Sequence, residues 1–393
     1  MKIDKRDPVH WLLLAGFGLQ AVLGLALRLF LRSRSGIVVF YGHKLNGNLL
    51  ALQRYLLANP DAGLRPVFLS MDREYLDQLR VQGIDACWAS GPACASLLAR
   101  AEALVSDHGL HSLGPWRATY QKLGLHFFDV WHGIPFKGFD PDDFRLQHRY
   151  DETWVASDLC HDLWVERFGF DPARVHATGY ARTDRLVLQQ EDRAALRKSL
   201  GIPHDRKTIL FAPTWAQDDR GRSIFPFSCD EAGFMGALSA FAAVHGATIL
   251  LRSHLNTGDA SAGEYPGVVA LPGSRYPDAE AILLASDMLV CDWSSIAFDF
   301  LLLRRPTVFL DVPPPFRKGF SLGPEYRFGA IVRDLPGLMR QLETCALQPE
   351  AYWRVHAGTH QSIWHQVYGD KADGYSAARC IARLRAKLGE AGA

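Results

Sequence analysis

The sequence predicts an α/β protein: two domains, each built on a mostly parallel sheet, behind an N-terminal hydrophobic helix. Three observations carry this. An apolar run fills Trp11 to Leu31, short apolar runs alternate with amphipathic stretches from Gly36 onward, and the alternation stops at Gly201-Ile-Pro203 and then restarts. A chain of 393 residues is long enough to bury two separate cores. The expected division is a membrane-associated helix over residues 1–35, a first α/β domain over 36–195 and a second over 196–393.

Taken in order, the run Trp11 to Leu31 has Gln20 and Arg28 as its only strongly polar members. That length suits a hydrocarbon core, and apolar character all round favours insertion over lying flat. A helix lying in the interface and anchoring a peripheral enzyme is the alternative. Arg28, Arg32 and Arg34 crowd its C-terminal end, which places the following domains in the cytoplasm. A cleaved signal peptide fits poorly, because no small-x-small site precedes Gly36. The seven cysteines are odd in number and widely spaced, without C-x-x-C or zinc-module spacing, which implies a reducing compartment and no metal. With 43 basic against 42 acidic residues, the net charge of +1 gives no electrostatic case for nucleic acid, so any phosphate binding must be local.

From Gly36 the expected strands are Ile37 to Tyr41, Pro66 to Ser70, Ile84 to Trp88, Ala103 to Ser106, His126 to Trp131, Thr153 to Ala156 and Val175 to Thr178. The loop Gly42 to Asn48 lacks the G-x-G-x-x-G spacing of a dinucleotide site, and no cofactor is assigned to it. His132-Gly-Ile-Pro-Phe-Lys137 turns sharply after a strand, so His132 and Lys137 are expected at a carboxyl sheet edge, where chemistry is usual. Asp107-His108 ends an earlier strand and is expected to face the same cleft. The spacing of His108 and His111 is too weak a signal for a metal.

A charged helix from Glu191 to Leu200 leads to the boundary. Beyond it the expected strands are Thr208 to Trp215, Ala247 to Leu251, Val268 to Leu271, Met288 to Cys291 and Thr307 to Leu310. Arg252-Ser-His254 follows the second of these. Asp292-Trp-Ser-Ser295 lies between a buried strand and the apolar helix Ile296 to Leu303. Serines there are expected to cap the helix and leave its first N–H groups for phosphate. Tyr375 to Leu388 reads as a basic amphipathic helix with Ala377, Cys380, Ile381 and Leu384 on one face.

Five motifs, in this order, resemble the CDP-glycerol glycerophosphotransferase family of teichoic-acid and capsule synthesis: His132-Gly-Ile-Pro-Phe-Lys137, Gly179-Tyr-Ala-Arg-Thr-Asp184, Phe211-Ala-Pro-Thr-Trp215, Arg252-Ser-His254, and Asp287 through Pro306. The resemblance spans roughly residues 36 to 385. It implies a GT-B-like pair of facing Rossmann-type domains, the first on the acceptor side and the second binding the nucleotide donor. It further implies transfer of a polyol phosphate from a CDP-polyol to a hydroxyl of a lipid-linked or polysaccharide acceptor, with release of CMP. Carried over by position, His132 is the general base and His254 a catalytic partner of the donor phosphates. Lys137, Arg182, Thr214, Arg252, Asp292, Ser294, Ser295 and Asp299 are the donor-binding set. The chain departs from the family pattern at Ala181, Thr183, Ala216 and Trp293, which leaves the polyol open. A GT-B glycosyltransferase using a nucleotide sugar, or an inactive membrane-bound binding protein of the same fold, are the competing readings.

Overall fold

The structure is a computed structural model and describes residues 4, 6–31, 35–203, 205–214, 225–252 and 265–390. The chain forms two compact units. One comprises Met1–His132, Pro141–Asp184 and Tyr375–Ala393, and the other Gly133–Asp140 and Arg185–Gly374. The division therefore differs from a single cut near residue 195, because both units are discontinuous in sequence.

The first unit holds strands β1 (Ile37–Tyr41), β2 (Arg65–Ser70), β3 (Ala86–Trp88), β4 (Ala103–Ser106), β5 (His126–Asp129), β6 (Glu152–Val155) and β7 (Val175–Ala177). Among the described residues they form one sheet in the order β3-β2-β1-β4-β5-β6-β7, with parallel pairing throughout. Near-continuous Val, Phe and Leu runs make these strands because both faces are covered. On one face Val39, Tyr41, Leu69, Leu104 and Phe127 pack with Phe17 and Ala21 of the N-terminal helix. On the other, Val38, Phe40 and Val105 pack with Ala377, Cys380, Ile381 and Leu384 of the terminal helix Ser376–Glu390. The stripe legible in the sequence thus returns to the first sheet, and Asp184 fixes its start by accepting hydrogen bonds from the N–H groups of Ser376 and Ala377 at 2.9 and 2.8 Å.

The N-terminal helix runs Pro8–Arg28, capped by Asp7, and is long and apolar enough to cross a membrane. It is not equivalent all round, however. Phe17, Gln20, Ala21, Gly24 and Arg28 are buried, while Trp11, Leu12, Leu19, Leu23 and Leu27 are exposed. Arg28 ties the buried face down. Its Nη1 donates to the carbonyls of Leu98, Ala99 and Ala101 at the end of the helix Ala93–Arg100, and its Nε to that of Leu123. Those are carbonyls that a helix end leaves without internal partners. Tyr120 adds a hydrogen bond from its hydroxyl to the Ala21 carbonyl at 2.7 Å.

The second unit holds β8 (Lys207–Ala212), β9 (Ala247–Leu251), β10 (Val268–Ala270), β11 (Met288–Cys291), β12 (Thr307–Leu310) and β13 (Ala330–Val332). Among the described residues they form a parallel sheet ordered β10-β9-β8-β11-β12-β13. Strand β13 was not expected from the sequence, being three residues long and preceded by a Pro- and Gly-rich loop. The helices Glu231–His245 and Leu335–Leu347 contribute Phe234, Leu238, Leu338 and Leu342 to the core of this sheet. All seven cysteines are free thiols, and all but Cys229 are buried.

Each sheet reverses its strand order once: between β1 and β4 in the first, and between β8 and β11 in the second. In open α/β sheets such a switch point opens a crevice at the carboxyl ends of the strands, which is where ligands bind.

Candidate active site

In the first unit, the loops leaving β1, β4 and β5 bring four imidazoles together at the carboxyl edge. The His43 and His108 rings lie 4.3 Å apart between centroids, the His108 and His132 rings 4.8 Å, and the His43 and His111 rings 5.9 Å. Asp107 anchors two of them. Its carboxylate accepts a hydrogen bond from His108 Nδ1 at 2.6 Å, and its backbone carbonyl accepts one from His132 Nδ1 at 3.2 Å. Gly42 is required where the β1 loop passes over this point, because a Cβ there would sit 2.5 Å from Asp107 Oδ1. His111, at a positive φ of 45°, is hydrogen-bonded through Nδ1 to the Tyr41 hydroxyl at 2.6 Å.

The segment before His132 is held from the side. The Asn48 amide donates to the carbonyls of Val130 and Trp131 at 2.7 and 2.8 Å, and its oxygen accepts the Arg182 N–H at 3.1 Å. Asn48 therefore joins the loop that delivers His132 to the start of the helix Ala181–Leu188. Arg182 is buried, with its guanidinium 5.1 Å from the Tyr180 ring centre.

A carbonyl oxygen only accepts, so His132 carries its proton on Nδ1 and presents Nε2 as an open lone pair. Surrounding protein, followed by the neighbouring His108, pushes the His132 pKa down to about 3. The ring of His132 itself keeps solvent exposure. Burial also opposes the charged form of His108, but Asp107, by charge and hydrogen bond, and Asp129 outweigh it and raise the pKa above the ordinary imidazole value. Asp129 is fully buried at the end of β5. Burial pushes its carboxyl up to about 7, against the hydrogen bond it accepts from the Trp131 N–H.

In the second unit the switch point holds Thr214 and Asp292. The Asp292 carboxylate accepts hydrogen bonds from both the N–H and the hydroxyl of Thr214, closing the edge between β8 and β11. Ser294 and Ser295 follow, half-buried, ahead of the helix Ile296–Leu301, which contains the buried Asp299. The expected serine cap is not formed. Ser295 is already helical, with φ −59° and ψ −18°, and its side chain makes no capping bond, because capping needs an extended residue at that position.

Lys137 lies on a segment carried by the second unit, where it pairs antiparallel with Phe320 while Phe136 stacks on Phe298 at 4.5 Å. Lys318, two residues before Phe320, is paired with Asp140 at 2.7 Å. Arg252 follows β9 and donates to the Tyr276 carbonyl at 2.9 Å; burial lowers its pKa, opposed by Glu280 and Asp278. His254 lies outside the described residues. Of the expected set, the first unit gathers His132 and Arg182, and the second gathers Thr214, Asp292, Ser294, Ser295 and Asp299. His43 and Asn48 were not singled out from the sequence. Their signal was position, a polar residue just past an apolar strand or opening the helix that follows.

The family model described as CDP-Glycerol:Poly(glycerophosphate) glycerophosphotransferase matches residues 25–382. The chain belongs to this glycerophosphotransferase family. It is 30% identical over 247 residues to the teichoic acid poly(glycerol phosphate) polymerase of Staphylococcus epidermidis, covering 55% of this chain and 32% of that one. It is 26% identical over 290 residues to the teichoic acid glycerol-phosphate transferase of Staphylococcus aureus, covering 66% and 71%. The chain thus spans about a third of the first relative's length and most of the second's. Among solved structures, the wall teichoic acid polymerase TagF superposes with a TM-score of 0.72 at 20% identity over 93% of each chain. At that identity the likeness establishes the fold, which is GT-B-like α/β as the motifs implied.

Proposed function

We propose that this glycerophosphotransferase-family chain moves a polyol phosphate, foremost glycerol phosphate, from a CDP-polyol to a hydroxyl of a cell-surface polymer. The acceptor oxygen forms a bond to the phosphorus bearing the polyol, the bond to the bridging oxygen breaks, and CMP leaves with that oxygen. Such transfers depend on positioning and charge stabilisation more than on covalent help. The observation that carries the reading is His132: its Nδ1 proton is committed to the Asp107 carbonyl, so Nε2 is free to take the acceptor's proton.

In this reading the first unit serves the acceptor and the second the donor. The turn at Ser294 and Ser295, with Thr214, Asp292 and Asp299 behind it, holds the diphosphate. Lys137, Arg252 and His254 offset its charge. The acceptor is carried on a lipid or a polysaccharide, and the domains work on the cytoplasmic side of the membrane, in keeping with seven free thiols.

The N-terminal helix attaches the enzyme by lying in the interface. A bilayer-spanning helix would have to give up the Arg28 contacts, whereas an in-plane helix keeps them and offers lipid its outward row of Leu12, Leu19, Leu23 and Leu27.

The deciding experiment incubates the purified chain with CDP-glycerol, CDP-ribitol and a set of nucleotide sugars, then identifies the nucleotide released. CMP from a CDP-polyol is the expected result. A nucleoside diphosphate released from a sugar donor would replace this reading with a glycosyl transfer.

A further inference from the structure

His108 and the Asp107 carboxylate are not used by the reaction just described, yet they are built tightly against the reacting imidazole. Strands β4 and β5 are neighbours with Ser106 opposite Asp129, so the loops that follow them leave the edge side by side. The rings of His108 and His132 are stacked with an interplanar angle of 7°. Both are locked through Nδ1 by one residue, His108 to the carboxylate of Asp107 and His132 to its carbonyl. The His43 ring lies 4.3 Å from that of His108, tilted by 54°. Each stacked ring therefore has one nitrogen fixed and turns its Nε2 away from Asp107.

We infer that His108 is a positioning residue for His132: clamped by Asp107 and stacked on the reacting ring, it fixes the plane of that ring and sets a second protonatable group against its face. The inference rests on reading His132 as the base. The charged and titratable groups around the stack are consistent with it. Asp107 and Asp129 favour the imidazolium at His108, while His108 and Arg182, the latter from the helix Ala181–Leu188, disfavour a second one at His132. His111, whose ring lies 5.9 Å from that of His43, is pushed down to about 4 by burial and does not compete for the charge. With His108 protonated, a proton arriving on His132 Nε2 meets a like charge across the stack. His132 thus stays neutral and able to accept at a pH where an ordinary imidazole would be protonated.

The test uses the full chain and follows the His132 ring by NMR, with its signals assigned by their loss in His132→Ala. His108→Phe keeps a flat ring in the stack but removes the charge, and His108→Gln removes both ring and charge should the phenylalanine not be accommodated. In each variant the His132 titration midpoint should rise by roughly one pH unit. With CDP-glycerol as donor, the acid limb of kcat/KM should rise by the same amount. An unmoved midpoint in a folded variant overturns the inference, since a merely structural residue would lower activity without moving it. A midpoint that moves while the acid limb stays fixed supports the coupling and removes His132 as the base, so the two readings fail separately.

Discussion

The main-chain N–H of Thr214 lies 2.7 Å from Oδ1 of Asp292. With the Thr214 hydroxyl on the same oxygen, this joins the ends of two strands where the second sheet reverses its order. A carboxylate placed where a diphosphate is expected would repel it, but here the charge is partly spent on the backbone. Asp292 therefore shapes this edge of the sheet. Asp292→Ala should cost about 1–3 kcal/mol in urea unfolding, the penalty for an orphaned half-buried donor, and should raise KM for CDP-glycerol. Asp292→Asn keeps an acceptor oxygen and should lose less of both. A fall in stability with KM unchanged would make the clip structural only.

For His132 the sign of the pH dependence follows from its surroundings. Its basicity is lowered, so the neutral, accepting form persists below the pH at which ordinary histidines charge. The acid limb of kcat/KM should lie below pH 6, and His132→Ala should reduce kcat on the order of 10²- to 10⁴-fold with little change in KM. A variant turning over normally with a working donor would remove His132 from the chemistry.

The places where chemistry is expected were legible for a simple reason. In a parallel sheet covered on both faces, an apolar run announces a strand, and the first polar residue after it falls on the carboxyl edge. That locates Asp107, His132 and Asp292 from sequence. The bonds these residues make were not legible. Nothing in the sequence tells that Asp107 gives its carboxylate to His108 and its carbonyl to His132, or that Ser295 is already helical and cannot cap. Long-range partners were hidden for the same reason: the stripe of Ala377, Cys380, Ile381 and Leu384 announces a buried helix face but not which sheet it meets. Hydropathy does not separate the two faces of the N-terminal run, because apolar residues lie on both. Its two faces differ through what lies against them: Phe17 and Ala21 meet the sheet, and Arg28 and Tyr120 tie that side down.

Asp287 supplies a stability test in the second unit. It accepts from Arg193 and Arg197, each at 2.6 Å, and from the Thr208 N–H at 2.8 Å, tying the helix Arg193–Ser199 to β8. Burial works against the carboxylate, but the two guanidiniums and the N–H prevail and hold its pKa below the usual value. A depressed carboxyl contributes its stability above the unfolded-state pKa and loses it as pH falls through the folded one. Asp287→Asn should therefore cost about 2 kcal/mol at pH 7 and progressively less below pH 4. A penalty equal at pH 7 and pH 3 would show that charge is not what matters there.

The outward row of the N-terminal helix separates lying on a membrane from crossing it. Leu12 and Leu19 are 73% and 58% exposed, and neither belongs to the buried face set by Phe17, Ala21 and Arg28. Burying both leucines in lipid is worth about 3–6 kcal/mol, more than a hundredfold in partitioning at about 1.4 kcal/mol per tenfold. Leu12→Glu with Leu19→Glu should therefore release the chain from phospholipid vesicles in a flotation assay while leaving its unfolding midpoint unchanged. Alkaline carbonate should likewise strip the unaltered chain from membranes, since a surface helix has no hydrocarbon span to hold it. Arg28→Ala acts on the other face: it empties the end of the helix Ala93–Arg100 of its hydrogen-bond donors, so it should lower the unfolding midpoint of the first unit without weakening flotation. Resistance to carbonate, together with vesicle binding that survives both glutamates, would mean that the helix leaves its dock and crosses the bilayer.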